Sequence, residues 1–444
     1  MKAILDHLPD PVRQAFSIDT LEAFRECPAT PSAALNQWQR QGFEQFLAAS
    51  YPSRRNESWR FSKPDTLLPT DYILYPRPDE GIADLLEARS SHIENPTASL
   101  IFADGNLIRQ QPLSNDLLAK GVFLGSFEEA AARYPEILEK HFSQLAPSLG
   151  SEKFVALNQA YAAQATLLYV PKGIKIDGTI ALYHWHLGDH AALFPRMLVI
   201  AEEDSKLNLL ELYGSIDEVS SGYICGLSHT HLGKNAIVER TSLQQLNLKS
   251  KGIQIEAAWL QEASHFHHVS LQMGGETFRF ENQVFLQGSA SEAQLSTLSI
   301  AKKEQFLDER SLQIHSAPGA TSDLLYKNAL FDTSRTVFSG MIVVEPGAQK
   351  TDAYQTNRNL VLSDEAEAIA LPGLEIEAND VKCSHGATTS SVDEDQIFYL
   401  QSRGIPRSIG EKLLIGGFFE EVLERIPFNQ DWVKSTCEAV LAQK

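Results

Sequence analysis

More than 200 residues of this chain, from about Thr166 to about Asn379, form short runs rich in β-branched and aromatic residues, separated by glycine turns. The run 166–170 and the run 181–185 open this segment, and turn dipeptides such as Pro346-Gly347 interrupt it. Such runs favour strands, and no helical pattern of comparable strength lies between them. A segment of this length without helices indicates a large sandwich, a barrel, a propeller or a solenoid.

Polar residues inside the predicted strands help to distinguish these architectures. The spacing of strands and turns is irregular, so a repeat period does not identify the fold. Gln355, Asn357 and Asn359 alternate along one predicted strand and therefore share one face. Stacked amides suit a fold in which coil lies upon coil, as in a parallel β-helix. The sequence therefore favours a mainly β protein with a β-helix core at residues 151–388.

Helical patterns flank this core on both sides. Residues 1–150 form a predicted N-terminal helical region, and residues 389–444 form a predicted C-terminal helical region. The first C-terminal helix begins at a capping Ser391 or Asp393 and ends at Gly404, because small polar residues cap helix starts and glycine commonly follows helix ends.

Composition excludes several classes of protein. The formal net charge of −19, from 38 basic and 57 acidic residues, would repel a phosphate backbone and disfavours nucleic-acid binding. The hydrophobic fraction of 43% with 21% charged residues is that of a globular protein, and no apolar run approaches the length of about 18 residues needed to span a membrane. Residues 1–6 lack the apolar core of a secretory signal, so we expect a cytoplasmic protein.

Cys383 and His385 are the best candidates for chemistry in the chain. On a strand, residues i and i+2 point to the same side, so the thiol and the imidazole would lie side by side. Both side chains bind iron or zinc, and a thiolate is also a nucleophile. The four cysteines are too scattered for a self-contained zinc or iron-sulfur site, so a metal here needs ligands of another type or from another chain. The alternative is an inert buried cysteine beside a hydrogen-bonded histidine.

Three H-x-H pairs suggest a rival hypothesis, namely that the chain is a metal-dependent enzyme with a β fold. Each pair places two imidazoles on one strand face, as metalloenzymes with β-barrel folds do. The alternative is that these histidines lie on the solvated outer face as ordinary polar residues, and we favour it because no carboxylate occurs at consistent spacing. The chain has no P-loop motif and no G-x-S-x-G motif. The pairs are His184/His186, His229/His231 and His265/His267.

The block from Thr321 to Gly417 resembles the SufB/SufD family of iron-sulfur cluster assembly proteins. Where SufB-type chains carry glutamate this chain has Gly386, and where they tend to carry cysteine it has Leu400, which favours the SufD branch and leaves a SufB-type subunit as the alternative. Five motifs follow one another in the family's order: Thr321-Ser322-Asp323 with Tyr326-Lys327-Asn328, Phe338-Ser339-Gly340, Gln355-x-Asn357-x-Asn359-Leu360, residues 382–388 and residues 395–404.

This resemblance implies a right-handed parallel β-helix flanked by helical regions, and a non-catalytic scaffold subunit. It implies pairing with SufB through the β-helices and binding of the ATPase SufC through the C-terminal helices. Iron, or a transient iron-sulfur cluster, would be held at the interface with SufB, with no permanently bound cofactor. His385 matches the histidine that the family associates with cluster formation, and Cys383 lies beside it.

Two further surfaces are expected to bind partners. Phe418 and Phe419 are adjacent, and a helix cannot bury both on one narrow stripe, which would leave apolar area for SufC. The alternative is a helical hairpin packed onto the end of the β-helix. Because an open β-helix edge is a pairing surface, the isolated chain is also expected to be able to form a homodimer. The predicted docking residues are Arg403, Gly404, Ile405, Leu414, Phe418 and Phe419.

Overall fold

A parallel β-solenoid forms the centre of the molecule. The structure is a computed structural model, and it describes residues 32–69, 72–142, 149–428 and 430–442. From Lys206 onward the chain alternates between two sheets, so that each coil adds one strand to each. The first sheet runs in the order β2-β1-β5-β8-β10-β12-β14-β16-β18-β20, and the second in the order β19-β17-β15-β13-β11-β9-β7-β4-β3, with β6 paired to β9. The strands are β1 (Ala98–Ala103), β2 (Asn106–Gln111), β3 (Phe123–Ser126), β4 (Thr166–Val170), β5 (Lys175–His186), β6 (Ala191–Leu193), β7 (Arg196–Ala201), β8 (Lys206–Ser215), β9 (Gly222–Leu232), β10 (Ile237–Gln245), β11 (Lys251–Leu260), β12 (His265–Gln272), β13 (Thr277–Leu286), β14 (Glu292–Ala301), β15 (Phe306–His315), β16 (Thr321–Leu330), β17 (Arg335–Val344), β18 (Asp352–Val361), β19 (Glu367–Ile376) and β20 (Lys382–Ser390).

Helices lie before and after the solenoid, as the sequence predicts. Across the described part of the chain they are α1 (Ala33–Ala48), α2 (Glu80–Arg89), α3 (Asn115–Ala119), α4 (Phe127–Arg133), α5 (Pro135–Phe142), α6 (Glu152–Tyr161), α7 (Glu394–Ser402), α8 (Arg407–Leu423) and α9 (Gln430–Ala442). Asp393 caps α7 by accepting from the backbone N–H of Asp395 at 2.9 Å, and Gly404 follows it with φ of 85°. In the residues that the structure describes, no helix is both long and apolar enough to cross a membrane.

The coils vary in length, which explains why the sequence shows no fixed repeat. A coil takes between 27 and 31 residues, because the paired residues along the first sheet are Lys206 and Ile237, Ile237 and His265, His265 and Glu292, Glu292 and Thr321, Thr321 and Asp352, and Asp352 and Lys382. Within the strands the register does not slip from β8 onward, so the variation lies in the turns. Several turns use a residue other than glycine at positive φ, such as Ala263, Ala290 and Lys303.

Side chains from both sheets fill the space between them, and buried polar groups such as Arg240, which pairs with Glu211 and Glu256, lie there among the hydrophobic ones. Leu207 and Val238 are paired and fully buried. Further along, the Nδ2 of Asn328 donates to the Oδ1 of Asn359 at 3.0 Å across adjacent strands, and the Nδ2 of Asn359 donates to the Oδ1 of Asn357 at 2.7 Å. The predicted amide stacking and the β-helix core are therefore confirmed.

The predicted N-terminal helical region is only partly helical where the structure describes it, because β1, β2 and β3 also lie there, and residues 1–31 lie outside the described residues. All six residues of β1 are buried, and five of them are apolar, so the run shows no alternation of polar and apolar residues. β1 pairs in parallel with β5, while β2 pairs antiparallel with β1 and β3 pairs antiparallel with β4. Arg109 of β2 forms ion pairs with Glu80, Asp84 and Glu87 of α2, at 2.6, 2.5 and 3.2 Å. The N-terminal end of the solenoid is therefore covered.

A buried arginine fixes the N-terminal segment to the solenoid wall. The guanidinium of Arg279 forms ion pairs with Glu281 and Asp308, both at 2.6 Å, and donates to the backbone carbonyl of Ser58 at 3.1 Å. It also lies 3.8 Å from the ring centroid of Trp59. Because charge pairing, hydrogen bonds and an aromatic face converge on one cation, the segment around Trp59 is held in a single position.

Glu309 is a buried carboxyl group that should make stability depend on pH. Ser299 and Asn328 donate hydrogen bonds to it, but burial raises its pKa to about 7, since hydrogen bonds offset only part of the cost of the charge. Between its ordinary pKa and pH 7 the folded chain binds more protons than the unfolded chain. The free energy of unfolding therefore falls as pH rises through this window, by up to roughly 3 kcal/mol at about 1.4 kcal/mol per pKa unit.

We expect Glu309→Gln to remove this contribution while keeping the shape of the side chain. Thermal unfolding midpoints measured from pH 5 to pH 8 should fall less steeply for the variant than for the wild type. The exposed Glu345 supplies the control, because Glu345→Gln should leave the wild-type slope unchanged. Parallel curves for wild type and Glu309→Gln would contradict the assignment.

Candidate functional site

The C-terminal end of the solenoid is open. β19 pairs with β17 and β20 pairs with β18, and no other strand in the described residues pairs with the remaining edges of β19 and β20. These strands are ten and nine residues long, and most of their side chains are exposed or half-buried. An uncovered edge of this length presents unpaired backbone donors and acceptors, which is a ready surface for another chain.

Cys383 and His385 lie on β20, at this open end. Cys383 pairs with Ala353 and His385 pairs with Gln355, and both partners on β18 are buried inside the solenoid. Paired residues of a parallel sheet point to the same side, so Cys383 and His385 continue two rows of interior-facing side chains. The structure thus brings both residues to one side of the strand, as their spacing predicts, where no further coil covers them in the described part of the chain.

The two side chains differ in environment. His385 is exposed, whereas Cys383 is half-buried against the apolar cluster that contains Ile342, Val344 and Ala353. Burial raises the pKa of the Cys383 thiol, and a backbone hydrogen bond with Ala353 offsets this only in part. At neutral pH the isolated chain therefore carries Cys383 as a protonated thiol, which is neither a strong nucleophile nor a ready metal ligand.

Apolar side chains are exposed around the same end. Leu371 and Ile376 of β19 are 37% and 41% exposed, and Tyr354 of β18 is 46% exposed. Clusters of exposed apolar residues commonly mark interaction surfaces. The open strand edges and this apolar area together form what we call the open-end surface, comprising β19, β20 and Tyr354.

The predicted docking residues on the C-terminal helices are only partly accessible. Phe419 is 2% exposed and packs in the core, so the expectation that it leaves apolar area for a partner is wrong. Phe418 is half-buried, and the Nζ of Lys327 lies 4.9 Å from its ring and donates to its carbonyl at 2.9 Å. The reason is that α8 packs against β14 and β16 on one side and α9 on another, which covers more than one helical stripe.

Of the remaining docking predictions, Arg403 and Gly404 are exposed, while Ile405 and Leu414 are half-buried. Four other large apolar residues of the C-terminal helices are exposed. Phe398 and Tyr399 of α7 are 73% and 58% exposed, and Ile409 and Leu413 of α8 are 50% and 53% exposed. The periodicity of α7 alone did not single them out, because exposure there depends on which face of the helix packs against the rest of the chain.

The histidine pairs do not converge on one centre. His184, His186, His229 and His231 are buried, so the expected position on a solvated outer face is wrong for these four. Burial lowers the pKa of His229 to about 3, which keeps it neutral.

His265 and His267 are partly exposed, and Glu292 lies beside them on the neighbouring strand. No carboxylate stands at consistent spacing from the pairs in the sequence, but the fold places Glu292 beside this pair, as it places Glu211 3.2 Å from His184. In the described residues, these three side chains are the one group of three or more histidine, cysteine or acidic residues close enough to share a metal ion.

Comparison with known proteins agrees with this architecture. Residues 184–418 match the family model described as "SUF system FeS cluster assembly, SufBD core domain", and residues 22–182 match that of the "SufBD protein N-terminal region". An iron-sulfur cluster assembly SufBD family protein of Synechocystis is 29% identical over 401 residues, covering 87% of both chains. The iron-sulfur cluster assembly protein SufD of Bacillus subtilis is 28% identical, covering 79% of this chain and 80% of the relative. SufD of Escherichia coli is 26% identical, covering 87% and 88%.

The core match alone spans more than half of the chain and includes the solenoid from β8 to β20, with Cys383 and His385. The match to the N-terminal region covers the segment that Arg279 fixes to the solenoid wall. On these matches the chain belongs to the SufBD family of iron-sulfur cluster assembly proteins.

Proposed function

We propose that this chain is a SufD-type, non-catalytic scaffold subunit of a cytoplasmic iron-sulfur cluster assembly complex. The observation that carries the proposal is the open end of the solenoid, where Cys383 and His385 continue interior rows of side chains on an uncovered strand. The membership of this chain in the SufBD family and the names of its relatives support a role in iron-sulfur cluster assembly. A SufB-type subunit is the alternative within the family.

The open-end surface is proposed to bind SufB. A second solenoid placed end to end would pair the free edges of β19 and β20 and cover Leu371, Ile376 and Tyr354. In the absence of SufB, the same surface could join two copies of this chain. Such pairing would enclose Cys383 and His385, which end the interior rows of side chains, at a junction between two subunits.

Iron, or a nascent cluster, is proposed to be held at this junction as cargo. Cys383 and His385 offer one sulfur and one nitrogen, which is half of a four-ligand site, so SufB would supply the remainder. The positive charge of the metal would lower the pKa of the Cys383 thiol and oppose the effect of burial, so that deprotonation would accompany metal arrival. His385 would bind the metal through the lone pair of a ring nitrogen.

The exposed apolar residues of α7 and α8 are proposed to bind the ATPase SufC. Phe398, Tyr399, Ile409 and Leu413 lie on two consecutive helices joined at Gly404, and together they offer a larger accessible apolar area than Phe418 and Phe419. Arg403 and Gly404, which the resemblance also implicates, lie between these helices. ATP hydrolysis would then belong to SufC, since this chain has no P-loop motif.

We expect His385→Ala to abolish cluster accumulation without breaking the complex. The exposed imidazole makes no hydrogen bond that the fold needs, so the loss should concern the metal and not stability. The measurement is iron and sulfide content after anaerobic co-purification with SufB and SufC. His190→Ala changes another exposed histidine and should retain cluster content. Normal cluster content in His385→Ala would refute the assignment.

Replacing Leu371 and Ile376 with lysine should disrupt pairing with SufB, because charges on the proposed junction would have to be buried. The readout is the amount of SufB that co-purifies with the tagged chain. Val219→Lys is the matched control, since Val219 is 69% exposed and lies outside the open-end surface. Unchanged recovery of SufB with the double variant would show that pairing uses another surface.

Phe398→Ser combined with Leu413→Ser should reduce SufC binding while leaving the thermal midpoint unchanged, because both side chains are already in water. Phe419→Ala should instead destabilise the chain, by about 3 kcal/mol or more, because it empties a core position. Leu118→Ser changes another exposed leucine, outside α7 and α8, and should leave SufC binding unchanged as the control for the double variant. Full SufC binding by the double variant would place docking elsewhere.

A further inference from the structure

We propose that His265, His267 and Glu292 form a binding site for a divalent first-row transition-metal ion, such as zinc or ferrous iron, on the outer wall of the solenoid. This site is separate from Cys383 and His385. In the first sheet, β14 lies three strands from β20 and β12 lies four strands from it. At about 4.8 Å per strand, these separations are roughly 14 and 19 Å. The proposal does not rest on the function proposed above.

Strand geometry places the three donors together. His265 and His267 are two residues apart on β12, and the intervening Phe266 is buried, so both imidazoles point outward from the solenoid. Glu292 of β14 is the direct register partner of His265, which places its carboxylate on the same outer face. The parallel ladder thus brings Glu292 together with histidines that lie 25 and 27 residues before it in the sequence.

Distances between the donor atoms suit a small ion. The Nδ1 of His265 lies 3.1 Å from one carboxylate oxygen of Glu292, and the Nε2 of His267 lies 3.7 Å from the other. All three ligand atoms lie within 4.8 Å of one another. In a tetrahedral site with bonds of about 2.1 Å, ligand atoms are roughly 3.4 Å apart, so only small side-chain rotations would be needed.

Unsatisfied hydrogen bonding at His267 supports a missing ligand. Its Nε2 is shielded from solvent and has no hydrogen-bond partner, since 3.7 Å to Glu292 is too long for a hydrogen bond. A metal ion at the centre of the three donors would satisfy this nitrogen. The side chains of His265, His267 and Glu292 are 39%, 35% and 44% exposed, so an ion can reach the site from solvent.

Neighbouring side chains extend the donor set. Glu239 of β10 and Gln294 of β14 are the register partners of His267 on its two sides, and they share its outer face. Glu239 also lies 3.7 Å from the Nζ of Lys206. Two imidazoles and one carboxylate are the ligand set of catalytic zinc sites and of non-haem ferrous sites, and both leave coordination positions open. Glu239 or Gln294 could bind a ligated water there.

The test is zinc titration of the chelator-treated, full-length chain by calorimetry. We expect one zinc ion per chain for the wild type and at least a tenfold loss of affinity for His265→Gln, His267→Gln and Glu292→Gln. Circular dichroism of each zinc-free variant, matching that of the wild type, would show that the loss concerns the ligands and not folding. As an independent readout, zinc should raise the thermal midpoint of the wild type but not of the three variants.

A control variant separates this site from other histidines. His190→Gln should retain the wild-type zinc affinity, because its side chain is exposed and does not belong to the cluster. Unchanged affinity in the three cluster variants would overturn the proposal. Loss of zinc binding in His385→Ala with full binding in His267→Gln would also overturn it, because the ion would then be bound at the open end.

Discussion

The uninterrupted parallel ladder of the solenoid is the constraint on which the rest of the structure depends. Each coil hydrogen-bonds to the coil before and after it, so a stack of about eight coils leaves two ends that need partners. At the N-terminal end, antiparallel β2 and β3 add to the sheets, and Arg109 ties α2 to β2. At the C-terminal end, β19 and β20 have no such cover in the described residues. The asymmetry between a covered end and an open end is the physical basis for assigning pairing to the open one.

The same ladder determines which side chains can act together. Because register is kept from coil to coil, interior positions form rows along the solenoid axis, and Cys383 and His385 end two of them after Ala353 and Gln355. Exterior positions form rows as well, and one of these joins His265 with Glu292. Chemistry on this fold therefore combines residues two positions apart on one strand with residues nearly thirty positions apart that are paired across strands.

Local patterns predicted much of this fold but little of its cross-strand chemistry. Alternation of Gln355, Asn357 and Asn359 indicated stacked coils, and a capping residue at 391 or 393 with Gly404 located α7. The coil length could not be obtained, because turns at Ala263 and Ala290 adopt positive φ without glycine. β1 was missed because all its residues are buried and it shows no alternation of polar and apolar residues. Glu292 was missed because its link to His265 is a register pairing, and the burial of Phe419 was missed because it depends on how α8 packs against β14 and β16.

The central claim is that the solenoid is completed by a partner at its open end, with His385 enclosed at the junction. Hydrogen–deuterium exchange of this chain, alone and in complex with SufB, tests it most directly. The account predicts that backbone amides of β19 and β20 exchange quickly in the isolated chain at a dilution where it is monomeric, and become strongly protected in the complex, while β1 and β2 change little. Protection confined to β1, β2 or the C-terminal helices, with β19 and β20 unchanged, would contradict it.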